Sequence, residues 1–439
     1  MNSIFLNKSG LLYVFSLILI VSFLSTTDFA LAQGSFIESQ MLLASDPEPG
    51  DNLGRSVSVS GNIAIVGSPE ADVNGICCVG KAYIFEWDNS TRIWNEVQIL
   101  TASDGSIGDN FGHSVSMSGN YAVVGATDEF AKVSGTAYFF ERNIATGIWS
   151  EIQIIPDKSG NFGRSVSIDG DKAIIGAPEM GQAFIYERNE IAGEWVETQM
   201  LPNYSDNRFG NSVYIHDNRA IVGAMFTDMP DSNQQGSAYI FEKDPITGVW
   251  NELQWLTKSD GGPVNDLFGQ SVAISGDTAI VGAPNTFNPP SSVYVFKEDL
   301  NTGIWSEIQE VTIIDIFSGE SSFIHQIAIS GDKVVVGGTA GGRVSGAHFF
   351  EINQDGLLNL IQILTPASGS TQERFGESVS ISDERIFIGA SQADFGGFNN
   401  SGSAYVFEQS GNLTIVKETD QMGEPASVLK APAFLKVAG

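Results

Sequence analysis

Imidazole, thiol and carboxylate are the reactive groups this chain has to offer. Its 439 residues include four histidines, two cysteines and 52 acidic side chains. None of His113, His216, His325 and His348 lies at zinc-ligand spacing from another, so no metallohydrolase motif is present. Gly112-His113-Ser114-Val115-Ser116 approaches a nucleophile elbow but lacks its final glycine. His113 also occupies a place that parallel stretches fill with Arg55, Arg164, Asn211 or Gln270, which argues against a catalytic imidazole. Cys77 and Cys78 are adjacent and cannot tie distant segments together. A vicinal disulfide and two idle thiols are both open readings. Acidic residues are abundant, yet no pair stands out for glycoside cleavage. The expectation is a protein with no catalysis of its own, the alternative being a secreted hydrolase or lyase acting on polysaccharide.

Charge narrows the partners. Twenty-two basic residues against 52 acidic ones leave a net charge of −30. Such a chain repels nucleic acid and anionic lipid and attracts cations or basic partners. Residues 1–32 read as a signal peptide. Lys8 precedes the apolar run Leu11–Leu24, and Ala30-Leu31-Ala32 is a small-x-small cleavage site. The mature chain then starts at Gln33, and no later segment is apolar enough to span a bilayer. The expectation is a secreted or surface-associated monomer with no stable membrane insertion.

What positions any site here is a repeat. Gly54, Gly112, Gly163, Gly210, Gly269 and Gly376 follow Phe or, once, Leu, and Ile324 holds that place in a weaker copy. The seven copies are spaced 47 to 59 residues apart. In the second, Ser114–Ser118 alternates small polar and apolar residues, Gly119-Asn120 makes a tight turn, and Tyr121–Gly125 is a more continuous apolar strand. Gly135–Glu141 and Trp149–Ile155 follow as aromatic-rich strands. Four short antiparallel strands per unit predict an all-β, seven-bladed β-propeller over 33–420, with a flexible tail at 421–439. Trp94, Trp149, Trp195, Trp250 and Trp305 read as blade-to-blade packing. Phe36–Asp46 aligns without gaps on Trp94–Asp104, so the mature chain opens with a fourth strand. That strand is expected to complete the seventh blade beside Gly402–Glu408, with Leu413–Lys417 as its rival for the slot.

The motifs Phe162-Gly163, Ser165-Val166 and Gly176-Ala177-Pro178, repeated along the chain, resemble the FG-GAP repeat of the integrin α-subunit propeller and of many secreted microbial proteins. The likeness covers roughly residues 36 to 420. It implies a seven-bladed propeller used for extracellular binding or adhesion. The sequence departs from integrin repeats in lacking the Asp-rich calcium loop, because the turns between first and second strands hold only two residues, such as Gly61-Asn62 and Gly276-Asp277. No cofactor is therefore firmly expected, with calcium the one ion left open.

In a four-stranded blade the loops joining strands two to three and four to one share a face. Here those loops are the long, variable ones, and variable loops on a rigid scaffold are the usual place for recognition. The candidate residues are Asp72, Asp128, Asp228, Asp231, Asp260 and Asp266, with apolar tips at Phe226, Phe287, Phe395 and Phe398. An extracellular protein or glycan is the expected ligand of this face.

Overall fold

Each repeat folds into the four antiparallel strands that its patterning predicts, and seven such sheets follow one another around a ring. In the second blade these are Phe111–Ser118, Tyr121–Thr127, Gly135–Arg142 and Trp149–Ile155, running outward from the axis in chain order. The seventh holds Phe375–Ser382, Arg385–Ala390 and Ser403–Gln409 from one end of the chain and Phe36–Leu42 from the other. The last two pair antiparallel, from Phe36 opposite Gln409 to Leu42 opposite Ala404, so the expected closure is the one observed. The computed structural model describes residues 35–127, 134–156, 158–202, 207–227, 235–259, 266–284, 291–313, 323–340, 343–367 and 373–410, with only the backbone of 323, 339, 340 and 343–345. The signal peptide read at 1–32, the tail at 421–439 and the rival strand Leu413–Lys417 lie outside these residues.

The alternating serines of the innermost strands have a definite task. An innermost strand has one unpaired edge, whose N–H groups must find acceptors. The serine of the preceding blade supplies them. Met117 N–H donates to Ser58 Oγ at 3.0 Å, Ile168 N–H to Ser116 Oγ at 3.1 Å and Val59 N–H to Ser380 Oγ at 3.1 Å. A second row repeats this one step along, with Gly119 N–H on Ser60 Oγ and Gly170 N–H on Ser118 Oγ, each at 3.0 Å.

The two glycine positions of the repeat form a single contact. Gly112 has φ +92°, and a methyl group on Gly67 of the preceding blade would overlap its carbonyl oxygen. The same overlap would occur at Gly125, Gly176, Gly223, Gly337 and Gly389. The carbonyl of Gly112 also accepts Ser56 Oγ at 2.8 Å. Blade spacing is thus set by backbone against backbone, which only glycine permits. Between blades five and six the contact is different: Gly282 faces the Ile324 side chain, and a methyl group on this glycine would lie 3.2 Å from its nearest carbon.

On the outside, each of the five repeat tryptophans is buried. Trp195 stacks on Phe139 of the preceding blade at 4.6 Å, and Trp94 meets Phe387 edge-on at 4.9 Å. A glutamine from the preceding fourth strand then clasps the backbone of the same residue. Gln254 Nε2 donates to Trp305 O at 2.7 Å while Trp305 N–H donates to Gln254 Oε1 at 2.9 Å. The pair recurs at every junction, from Gln40 on Trp94 round to Gln309 on Leu358 and Gln362 on Phe36. In the degenerate sixth repeat, Leu358 takes the tryptophan's buried place and keeps the clasp. Gln254→Ala strands one donor and one acceptor, and is expected to lower unfolding stability by about 1–3 kcal/mol in a urea titration.

Candidate functional site

The Phe-Gly motif is a turn that presents its following residue to the channel. The residue before each Phe or Leu is left-handed: Asn52, Asn110, Asn161, Arg208, Leu267 and Arg374 have φ between 51° and 59°. The next side chain, such as Phe111 or Phe162, is fully buried and anchors the turn. Glycine then takes φ near +90°, as the third position of a type II turn requires. The turn closes with an N–H to carbonyl bond, 3.2 Å for Arg55 on Asn52, 3.0 Å for His113 on Asn110 and 3.1 Å for Glu377 on Arg374. The closing residue lies at the mouth of the axial channel.

Six such residues and His325, which holds the corresponding place in blade six, therefore meet: Arg55, His113, Arg164, Asn211, Gln270, His325 and Glu377. They line a cavity of about 460 Å³ that continues down the serine ladder. Two clusters organise the ring. Glu377 is buried and accepts Arg55 Nη1 at 2.9 Å and Arg374 Nη1 at 3.2 Å, with Ser391 Oγ on its other oxygen. In the next two blades round the ring, Arg164 Nη1 lies 3.0 Å from His113 Nε2. Arginine can only donate, so this ring nitrogen accepts and the imidazole proton belongs on Nδ1.

Both histidines of the ring are neutral at pH 7. Burial pushes His113 well below the ordinary histidine range, and the positive charges of Arg164 and Arg55 add to it. His325 is held down to about 4 by burial, with Arg55 and Arg374 reinforcing it and the carboxylate of Glu377 opposing. Three guanidinium groups and one carboxylate thus gather at one point of a chain carrying −30 overall. The arrangement can hold an anion, stabilise a developing oxyanion and offer an uncharged imidazole as base. Deeper in, Tyr214 replaces a ladder serine and its hydroxyl donates to Ile329 O of blade six at 3.2 Å. Burial first, and Asp169 second, raise this phenol to about 12, so it stays protonated.

The residues singled out on the long-loop face are differently placed. Asp72 makes a turn, its Oδ1 accepting the Cys78 N–H at 3.1 Å; Asp394, before the candidate Phe395, does the same for the Asn400 N–H at 2.8 Å. Beside Asp72, Cys77 and Cys78 form a disulfide, which selects between the two readings of that pair. Asp266 is buried in an ion pair with Lys258. Phe226 is half-buried beneath the Arg208 guanidinium, 5.5 Å from its ring centre. Phe395 and Phe398 come together on a short hairpin, 40% and 37% exposed. Asp128, Asp228, Asp231, Asp260 and Phe287 lie outside the described residues.

A family model for the FG-GAP repeat matches residues 36–85, 94–140, 204–241, 250–296 and 359–407. No curated protein matches the chain. Among solved structures it is similar to the periplasmic gluconolactonase of Pseudomonas aeruginosa, at 13% identity and a TM-score of 0.51, over 75% of this chain and 87% of that one. A protein of Bacteroides uniformis described as a candidate 6-phosphogluconolactonase gives 10% identity and a TM-score of 0.52, over 74% and 88%. Sqt1 of Saccharomyces cerevisiae gives 12% and 0.50, over 84% and 99%. At these identities the likeness is one of fold. It nevertheless corrects the expectation of a chain without catalysis, since two of these neighbours carry enzyme names. A ring that takes one residue from each blade leaves no linear motif, so the lack of a motif in the sequence was no ground for that expectation.

Proposed function

Because the chain belongs to the FG-GAP repeat family and its repeats close around a polar channel, we propose that the channel mouth binds a small sugar-acid lactone and opens it by hydrolysis. The observation that carries this reading is the convergence of Arg55, Arg164, His113, His325 and Glu377 on one cavity. Hydroxyl groups of such a ligand find acceptors and donors in Asn211 and Gln270. In the step itself, neutral His325 takes a proton from water as the water oxygen bonds to the lactone carbonyl carbon. The guanidinium of Arg55, fixed by Glu377, stabilises the resulting oxyanion. The carbon–ring-oxygen bond then breaks, the ring oxygen takes the proton back from His325, and the product is a hydroxy acid whose carboxyl proton passes to solvent. Names of proteins sharing this fold, gluconolactonase among them, support the choice of substrate class without establishing it.

The test is pH-stat hydrolysis of glucono-δ-lactone by the purified chain, read above the spontaneous rate. The expected result is saturable acceleration that falls about 10²–10³-fold in Arg55→Ala. An unaccelerated rate, with no gluconate binding by calorimetry, would remove this reading.

A second reading keeps the loop face as a recognition surface for an extracellular protein or glycan. The exposed Phe395 and Phe398 on one anchored hairpin favour it.

A further inference from the structure

At the far end of the channel two departures from the repeat meet a turn aspartate at one point. Where the other first strands end in Ser60, Ser118, Ser275, Ser330 or Ser382, blades three and four carry Asp169 and His216. Where the following turn in five blades begins with Gly61, Gly119, Gly170, Gly276 or Gly331 in the left-handed region, blade four has Asp217 at φ +55°, as blade seven has Asp383 at φ +52°. The ligand atoms of Asp169, His216 and Asp217 all lie within 4.8 Å of one another. Asp217 Oδ2 is 3.5 Å from His216 Nδ1, and the Asp217 N–H donates to Asp169 Oδ2 at 2.6 Å. That bond draws the two blades' turns together and leaves Asp169 its other oxygen.

We propose that Asp169, His216 and Asp217 bind a divalent transition-metal ion of the zinc class at this end of the channel. One imidazole with two carboxylates is a borderline donor set, suited to zinc, nickel or copper rather than to calcium, which takes six to eight oxygens. The ligands come from two blades rather than from one Asp-rich loop, so this is not the calcium loop that the sequence lacks. Two of the three, Asp169 and His216, also line the channel, and the rest of the ion's coordination would face its opening. The site stands apart from the mouth, because Tyr214 lies two residues inside His216 on the same strand. An ion here would fasten blade three to blade four.

Zinc titration calorimetry on the whole chain tests this, in excess magnesium to occupy the many all-oxygen surface sites. The expected result is one zinc per chain with micromolar or tighter affinity. His216→Ser and Asp217→Gly restore residues that other blades carry at these places, so both variants should fold. Each should weaken zinc at least tenfold, whereas His113→Gln at the mouth should leave it unchanged. Zinc binding that persists unaltered in His216→Ser, or no binding by the unsubstituted chain, would overturn the proposal. Thermal unfolding gives an independent readout: zinc should raise the midpoint of the unsubstituted chain and not that of Asp217→Gly.

Discussion

Gly223→Ala should fail to yield a folded ring, whereas Gly282→Ala should fold. The two glycines hold the same position in successive repeats and differ by one methyl group from their replacements. A methyl on Gly223 would be driven into the carbonyl oxygen of Gly269, which is backbone and cannot turn aside. Neither blade can retreat, since the same junction holds Ser212 Oγ on that carbonyl at 2.8 Å and the Gln254 clasp on Trp305. Separating the blades would open these bonds and the buried cluster of Ile221, Phe268 and Val281 between them. The cost should reach about 4 kcal/mol or more, a large share of the stability of a folded domain. At Gly282 the nearest atom is 3.2 Å away on the Ile324 side chain, which can adjust. The loss there should be about 1 kcal/mol. Circular dichroism and urea unfolding of both variants decide the matter, and equal destabilisation would refute the backbone-contact account of blade spacing.

His325→Gln should lower lactone hydrolysis by about 10²–10⁴-fold while leaving the unfolding midpoint within a degree or two. Glutamine keeps a polar side chain at the mouth, as Gln270 does in blade five. The pH profile gives a second signature. With its pKa near 4, His325 is uncharged over the neutral range, so the rate should rise from pH 3 through about 4 and stay level to pH 8. A profile rising through pH 6.5 would mean an ordinary, solvated histidine as the base. Acid also acts on the fold, and the sign is fixed by the same shift. The unfolded chain binds a proton at 6.5 and the folded one only near 4. Stability is therefore full above about pH 6.5 and declines as pH falls toward 4. Circular dichroism at each pH separates this loss from titration of the base.

The architecture was open to reading because the repeat states it seven times. Ser-Val-Ser, Gly-Ala and Trp-x-x-x-Gln recur at fixed offsets, and each recurrence has a physical cause in the ring: a capped edge, a backbone contact, a clasp. Closure was legible too, since Phe36–Asp46 copies Trp94–Asp104. The mouth was not. His113 looked like an accident because its counterparts are Arg55, Arg164, Asn211 and Gln270. A site built from one residue per repeat has to look that way. The usable signal was a place that changes chemistry between copies while Phe, Gly and Ser around it hold still. Asp72 and Asp266 drew attention as acidic loop residues, yet one makes a turn and the other is buried against Lys258. Sequence distinguishes a carboxylate from an amide; it does not tell whether that carboxylate meets a backbone N–H or a ligand.

The seam in the seventh blade sets an order in time. Phe36–Leu42 leaves the ribosome before any other described strand, and its partner Ser403–Gln409 leaves last. Six blades can assemble from neighbours as they are made, but the seventh waits until Ser403–Gln409 has been made. Until then the first strand has no sheet to join, and the Gln362 clasp on Phe36 cannot form. A chain truncated before Ser403 would leave Phe36–Leu42 without its partner and the outer edge of Arg385–Ala390 unpaired.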